Sequence, residues 1–104
     1  MLIVLTTCPQ RAEAESLARG LVRARLAACV QILPQITSIY YWEEGIQEEP
    51  EYLLLIKTIP DKWEELEQHI LKEHSYSVPE IVAIESSRVS APYAAWISSY
   101  LSGE

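Results

Sequence analysis

Asparagine is absent from the chain, and aspartate and methionine occur once each among its 104 residues. A scarcity of thermolabile side chains is a feature of proteins that work at high temperature. Glycine is also sparse: Gly20, Gly45 and Gly103 are too scattered to cradle a phosphate. The two histidines, His69 and His74, have no partner serine on a strand-to-helix elbow. Serine-hydrolase chemistry therefore lacks its nucleophile–base pair. These absences predict a chain that is not an enzyme.

Two cysteines, Cys8 and Cys29, do not make a disulfide framework. They fall at opposite ends of two strands, too far apart to be bridged. No Cys-x-x-Cys or His-x-x-x-His pair occurs, which excludes a closed structural zinc site. Basic residues number 8 against 15 acidic ones, for a net charge of −7. That deficit excludes nucleic acid and anionic membrane surfaces as partners, and it favours cations. No apolar run approaches the roughly 18 residues of a transmembrane helix. Residues 1–5 are apolar but lack the basic flank and cleavage site of a signal peptide. The expectation is a first strand in a cytoplasmic protein, with no insertion into a membrane.

What is present is centred on residues 27–58, which read as one long β-hairpin. The incoming arm is rich in Val, Ile, Thr, Tyr and Trp, which suit a pleated surface. The outgoing arm, residues 51–58, carries the unbroken run Tyr52-Leu53-Leu54-Leu55-Ile56, expected inside the sheet. Gly45 is the residue expected to supply a positive φ at the turn. Pro34 cannot donate to a ladder, so a bulge should divide the incoming arm into residues 29–33 and 36–42. Tyr40, Tyr41 and Trp42 exceed what a domain of this size can cover, which predicts pairing with another chain. The alternative is a hairpin that curls onto its own helices.

Residues 2–7 form the first strand. Ala14, Leu17, Ala18, Leu21 and Val22 give a core-facing stripe to a helix over 11–25, with Pro9 expected in its first turn. Asp61 and Glu64 have capping-box spacing for a second helix that ends in Lys72-Glu73-His74. Residues 75–80 form a loop and residues 81–85 a fourth strand. Ser90 and Pro92 begin a short third helix. The order βαββαβ plus a helix predicts one α+β domain over residues 1–104: a ferredoxin-like sandwich with a protruding hairpin. Its sheet would leave one face bare in the monomer.

Glu73 and His74 offer a carboxylate and an imidazole to a borderline divalent cation, and Cys8 adds a thiolate if the fold brings the loops together. The plainer alternative is a hydrogen-bonded His74 beside a solvated Glu73. Cys29 reads as a small buried core residue rather than a nucleophile.

Four motifs follow one another in register: Leu26-Ala27-Ala28-Cys29-Val30, Ser38-Ile39-Tyr40-Tyr41-Trp42-Glu43, Leu55-Ile56-Lys57-Thr58 and His74-Ser75-Tyr76-Ser77-Val78-Pro79-Glu80-Ile81. In order and spacing the chain resembles the CutA divalent-cation-tolerance family from Val4 to Tyr100. The resemblance implies a homotrimer, similar in assembly to the P-II signalling proteins, with a role in tolerance of divalent metals and no established catalysis. It implies no obligatory cofactor; copper or another divalent cation is the expected ligand. The family's metal proposal uses a cysteine ending strand one and a His-His pair ending helix two. Here those positions hold Thr6 and Glu73-His74, with Cys8 two residues beyond Thr6, so only His74 matches outright. The resemblance also implies an intersubunit cleft for a small ligand, built from Cys29, Trp42, Lys57, His74, Tyr76 and Glu80. A second role it leaves open is a stable trimeric scaffold or signalling module for a protein partner.

Overall fold

A computed structural model describes residues 1–103 of the chain. Its elements are β1 (Leu2–Cys8), α1 (Arg11–Arg23), β2 (Cys29–Trp42), β3 (Gly45–Thr58), a 3-10 turn (Pro60–Lys62), α2 (Trp63–Glu73), β4 (Val82–Glu85) and α3 (Ala91–Leu101). The four strands form one antiparallel sheet in the order β2-β3-β1-β4. That order is the expected ferredoxin-like arrangement, with β3 and β1 central.

Strand alternation divides the sheet's two faces. Leu2, Val4, Leu54 and Ile56 turn inward and pack with Ala14, Leu17 and Leu21 of α1 and Leu66 and Ile70 of α2. Gly20 allows the two helices to approach, since a Cβ there would come within 3.2 Å of His69 Nε2. The opposite face keeps Ile3 and Leu5 half-buried, opposite exposed Ile84 and Val82 of β4. One end of the molecule is closed by α3, whose Ile97 and Leu101 pack on Ala28. Arg25 locks that helix in place: its guanidinium donates to the Tyr100 carbonyl at 2.6 Å and lies over the Tyr100 ring. One buried hydroxyl, Thr6 Oγ1, has no hydrogen-bond partner among the described residues.

The hairpin is longer than its own domain. β2 and β3 each run 14 residues and stretch the molecule to 47 Å. The register shifts between Leu33 and Ile36, where Gln35 has a φ of 20°. This is the bulge that Pro34 forces. β3 pairs with β1 only from Tyr52 to Thr58; from Gly45 to Glu51 it pairs with β2 alone, as a two-stranded ribbon.

Several local expectations are corrected. The outgoing arm begins at Gly45, not residue 51, and the turn closes on two residues because Trp42 pairs with Gly45. Positive φ falls on Glu43 (51°) and Glu44 (63°), not on Gly45. A two-residue loop of this hand matches the twist of the strands, so the ladder overrides side-chain preference. Pro9 precedes α1, whose N-cap is Gln10, because β1 extends through Cys8. The helix stops at Arg23, and Arg25 turns left-handed (φ 56°) to send the chain back under the sheet. No capping box forms at Asp61 and Glu64, since Pro60–Lys62 winds as a 3-10 turn first.

Two non-glycine residues at positive φ each cost on the order of 1 kcal/mol. Glu43→Asn with Glu44→Gly should therefore stabilise the chain by about 1 kcal/mol. Urea denaturation at fixed chain concentration reads this as a higher midpoint. An unchanged or lower midpoint would show that the turn is not strained.

Candidate functional site

The site lies where the four-stranded sheet narrows to the ribbon. Cys8, the last residue of β1, pairs with Tyr52, and Glu51 is the first residue of β3 beyond that pairing. His74 arrives from the end of α2, where its extended backbone (φ −76°, ψ 143°) stops the helix and turns its ring inward. The ring is buried at the tip of β1.

Both imidazole nitrogens have partners. Nε2 lies 2.6 Å from the Thr7 carbonyl, and the Tyr76 backbone N–H donates to Nδ1 at 3.0 Å. A carbonyl only accepts and an amide N–H only donates, so the neutral ring carries its proton on Nε2. Cys8 Sγ is 3.8 Å from Nε2, and Glu13 Oε2 of α1 is 3.6 Å from Nδ1. Glu13 also accepts from the Ser75 backbone N–H at 2.9 Å and the Ser75 hydroxyl at 2.7 Å. Further along the loop, the Tyr76 hydroxyl donates to Glu51 Oε2 at 2.7 Å. Burial, the Glu51 hydrogen bond and the Glu51 charge raise the Tyr76 pKa, so its hydroxyl remains a donor.

Cys8, Glu13 and His74 form the one group of three metal-capable donors among the described residues, with ligand atoms within 4.8 Å of one another. Of the three expected metal residues, Cys8 and His74 meet. Glu73 does not join them: it is exposed on the last turn of α2, and the change to extended backbone points successive side chains apart. The carboxylate is supplied instead by Glu13, 61 residues earlier in the chain. Glu13 is in the first turn of α1, and nothing local in the sequence links it to His74. Thr6 lies one pleat back on the buried face and outside the cluster.

As a metal centre the donor set fits a borderline cation by type: one sulfur, one nitrogen, one oxygen. Cys8 and Glu13 approach opposite ring nitrogens, and one ion can take only one of those nitrogens. Binding through either nitrogen breaks an existing hydrogen bond. Three donors with that cost suit weak rather than tight binding.

Beside this cluster is a cavity of about 650 Å³, between the ribbon and the 75–80 loop. Trp42, Tyr76 and Glu80 of the expected cleft line it, together with Tyr40 and Glu51. Within a single chain Cys29 and Lys57 are elsewhere. They pair across β2 and β3 at the far end of the ladder, where Lys57 donates to Gln31 at 2.9 Å and its ammonium lies 5.9 Å from the Tyr93 ring. Tyr93 has a raised pKa there, from burial first and neighbouring Cys29 second. Alternation also separates the three hairpin aromatics. Tyr40 and Trp42 share the face of Glu51, whereas Tyr41 shares the other with Ile39 and Ile46.

Burial, with the charges of Glu13 and Glu51, pushes the Cys8 thiol from an ordinary 9.0 up to about 12. The folded state therefore favours the neutral thiol. That contribution to stability is complete below pH 9 and is lost as pH rises toward 12. At pH 8 the thiol therefore stays protonated, and the thiolate is the reactive form. Iodoacetamide at pH 8 should leave Cys8 unlabelled in the folded chain and label it after unfolding in guanidinium. Peptide mass spectrometry checks this; Cys8 labelling at a free-thiol rate in the folded chain would refute the burial argument.

The chain matches the family described as CutA1 divalent ion tolerance protein over residues 2–100. It is 41% identical over 95 residues to the divalent-cation tolerance protein CutA of Thermus thermophilus, covering 91% of this chain and 92% of that protein. Identity is 42% over 91 residues to the CutA homolog of Xenopus laevis, but those residues are 88% of this chain and only 60% of the frog protein's length. The crystal structure of CutA1 from Pyrococcus horikoshii superposes with a TM-score of 0.92 at 35% identity, covering 96% of this chain and 97% of that one. A match along nearly the whole sheet and all three helices, in sequence and in backbone alike, means that the chain belongs to the CutA1 divalent ion tolerance family.

Proposed function

We propose that the chain is a non-catalytic, cytoplasmic homotrimer that binds a divalent cation, copper before zinc, through Cys8, Glu13 and His74. The observation that carries the metal reading is the convergence of these three donor groups within 4.8 Å, from three separate elements. Family membership supplies the role, tolerance of divalent cations. The partnered imidazole and protonated thiol make affinity micromolar or weaker, and the usual divalent order favours copper.

Calorimetric titration with copper and zinc tests the site. His74→Ala should abolish saturable binding, and Glu13→Gln should weaken it about tenfold, or roughly 1.4 kcal/mol. Glu73→Gln should leave it unchanged. Equal copper binding in the wild type and His74→Ala would place the metal elsewhere.

Association is supported by the apolar surface that one chain leaves open. Ile39, Tyr41 and Ile46 are 66%, 67% and 73% exposed on one face of the ribbon, and Val82 and Ile84 are exposed on the bare sheet face. Copies that each carry −7 repel one another. Apolar burial opposes this, at roughly 1.5–3 kcal/mol for each large side chain fully covered. Light scattering should give a three-chain mass at micromolar concentration. Tyr41→Ala with Ile46→Ala should lower the melting point of the assembly while circular dichroism stays native. A single-chain mass for the wild type would end the trimer reading.

A further inference from the structure

Both oxygens of the Glu13 carboxylate are held by a single residue. The Ser75 backbone N–H donates to Oε2 at 2.9 Å, and the Ser75 hydroxyl donates to Oε1 at 2.7 Å. The same Oε2 is the atom that lies 3.6 Å from His74 Nδ1. The origin of this clamp is the end of α2. The His74 N–H still closes the helix on the Ile70 carbonyl, but the extended backbone at His74 takes the next amide, that of Ser75, out of the helix ladder and toward α1. Among the described residues no Lys or Arg pairs with Glu13, and Arg11, two residues away, turns to Glu15 at 3.2 Å. The Glu13 side chain is 21% exposed, so water is within its reach. A glutamate held by nothing disperses among its rotamers, and a ligand must then be ordered again when an ion arrives. Two hydrogen bonds do not exhaust it as a ligand, since an ionised carboxylate offers about four lone pairs.

We propose that Ser75 is the positioning residue of the metal site: by clamping both oxygens of Glu13 it aims Oε2 at His74 and keeps Glu13 a ligand rather than a solvated surface carboxylate. This rests on the metal reading above and adds to it the residue that brings the carboxylate and the imidazole together. Ser75 touches no ion itself; it acts through Glu13, as partners behind a metal ligand do. The two bonds divide the work. The amide fixes where Oε2 lies, and the hydroxyl fixes the plane of the carboxylate. They can also be removed separately. Ser75→Ala deletes the hydroxyl and keeps the amide. Ser75→Pro deletes both, and the backbone of His74 (φ −76°, ψ 143°) already has the extended form that a residue before proline requires. Ser75→Thr keeps both. Both bonds are exposed, so losing the hydroxyl removes little that the fold depends on.

The test uses the full chain in two states. Without metal, the Glu13 carboxyl carbon is followed by NMR in protein labelled with carboxyl-¹³C glutamate, its signal assigned by loss in Glu13→Gln. Ser75→Ala should move that signal toward those of the solvent-exposed glutamates, Ser75→Pro should move it further, and Ser75→Thr should leave it in place. With metal, calorimetric titration of copper and zinc should show severalfold weaker binding for Ser75→Ala, a loss in Ser75→Pro as large as that of Glu13→Gln, and wild-type affinity in Ser75→Thr, while circular dichroism of Ser75→Ala stays native. In a Glu13→Gln background Ser75→Ala should weaken binding no further, because its effect passes through Glu13. The proposal is overturned if Ser75→Ala binds both metals like the wild type, if it weakens binding equally in the Glu13→Gln background, or if Ser75→Thr behaves like Ser75→Ala. A Glu13 signal unmoved by Ser75→Ala overturns the clamp alone. Absence of saturable metal binding in the wild type overturns the metal reading and this role with it, and the metal-free signal tells the two failures apart.

Discussion

β3 is paired on both sides along half its length and on one side along the rest, and the molecule is organised by the place where that changes. From Tyr52 to Thr58 it is flanked by β1 and β2, and its inward side chains are sealed by α1 and α2. From Gly45 to Glu51 it has only β2 beside it. A two-stranded ribbon is marginal alone in water. This one is anchored by continuity with a four-stranded sheet at its base. The step at Cys8–Tyr52 also creates a corner, because the end of β1, the start of α1 and the loop after α2 all meet the departing ribbon there. The donor cluster and the cavity occupy that corner because only there do a buried strand end and an open wall lie side by side.

The corner holds its shape through polar bonds rather than apolar packing. His74 ties the loop to β1 through Thr7 and to itself through Tyr76, Glu13 ties the loop to α1 through Ser75, and Tyr76 ties it to the ribbon through Glu51. The bonds to Thr7, Glu13 and Glu51 join elements far apart in sequence; the Thr7 bond is buried, both Tyr76 bonds are partly buried, and the Ser75–Glu13 bond is exposed. Removing one partner of a shielded bond strands a buried polar group, which costs more than the bond itself contributes. A loop of six residues with exposed Ser75, Ser77 and Val78 is fixed in this way without a hydrophobic anchor of its own.

Much of the fold was legible because it rests on period and punctuation. The Ala14–Leu21 stripe, the Tyr52–Ile56 run and Pro34 act through local sterics and burial, and the helix, the inner strand and the bulge all fall where those rules put them. What escaped was set by tertiary demand. Glu43 and Glu44 take positive φ because the ladder needs that twist, although Gly45 is the residue better suited to it. In the site, His74 and Cys8 were found from their chemistry, whereas Glu13 was not, because its contact spans 61 residues and follows from how α1 crosses α2. Tyr40, Tyr41 and Trp42 read as one aromatic block in sequence. Strand alternation makes them two surfaces, one toward the cavity and one away from it.

Tyr76 is the residue through which the donor cluster and the cavity are mechanically joined. Its backbone N–H occupies the Nδ1 lone pair of His74, and its hydroxyl occupies one oxygen of Glu51. An ion that takes Nδ1 must displace that N–H, and the ring between the two contacts forms a wall of the cavity. Ligation through Nε2 instead releases the carbonyl of Thr7, which also lines the cavity. Neither nitrogen can be freed without disturbing a lining residue. Any difference in cavity affinity between the two states of His74 would act in reverse with equal size, since coupling between binding sites is reciprocal.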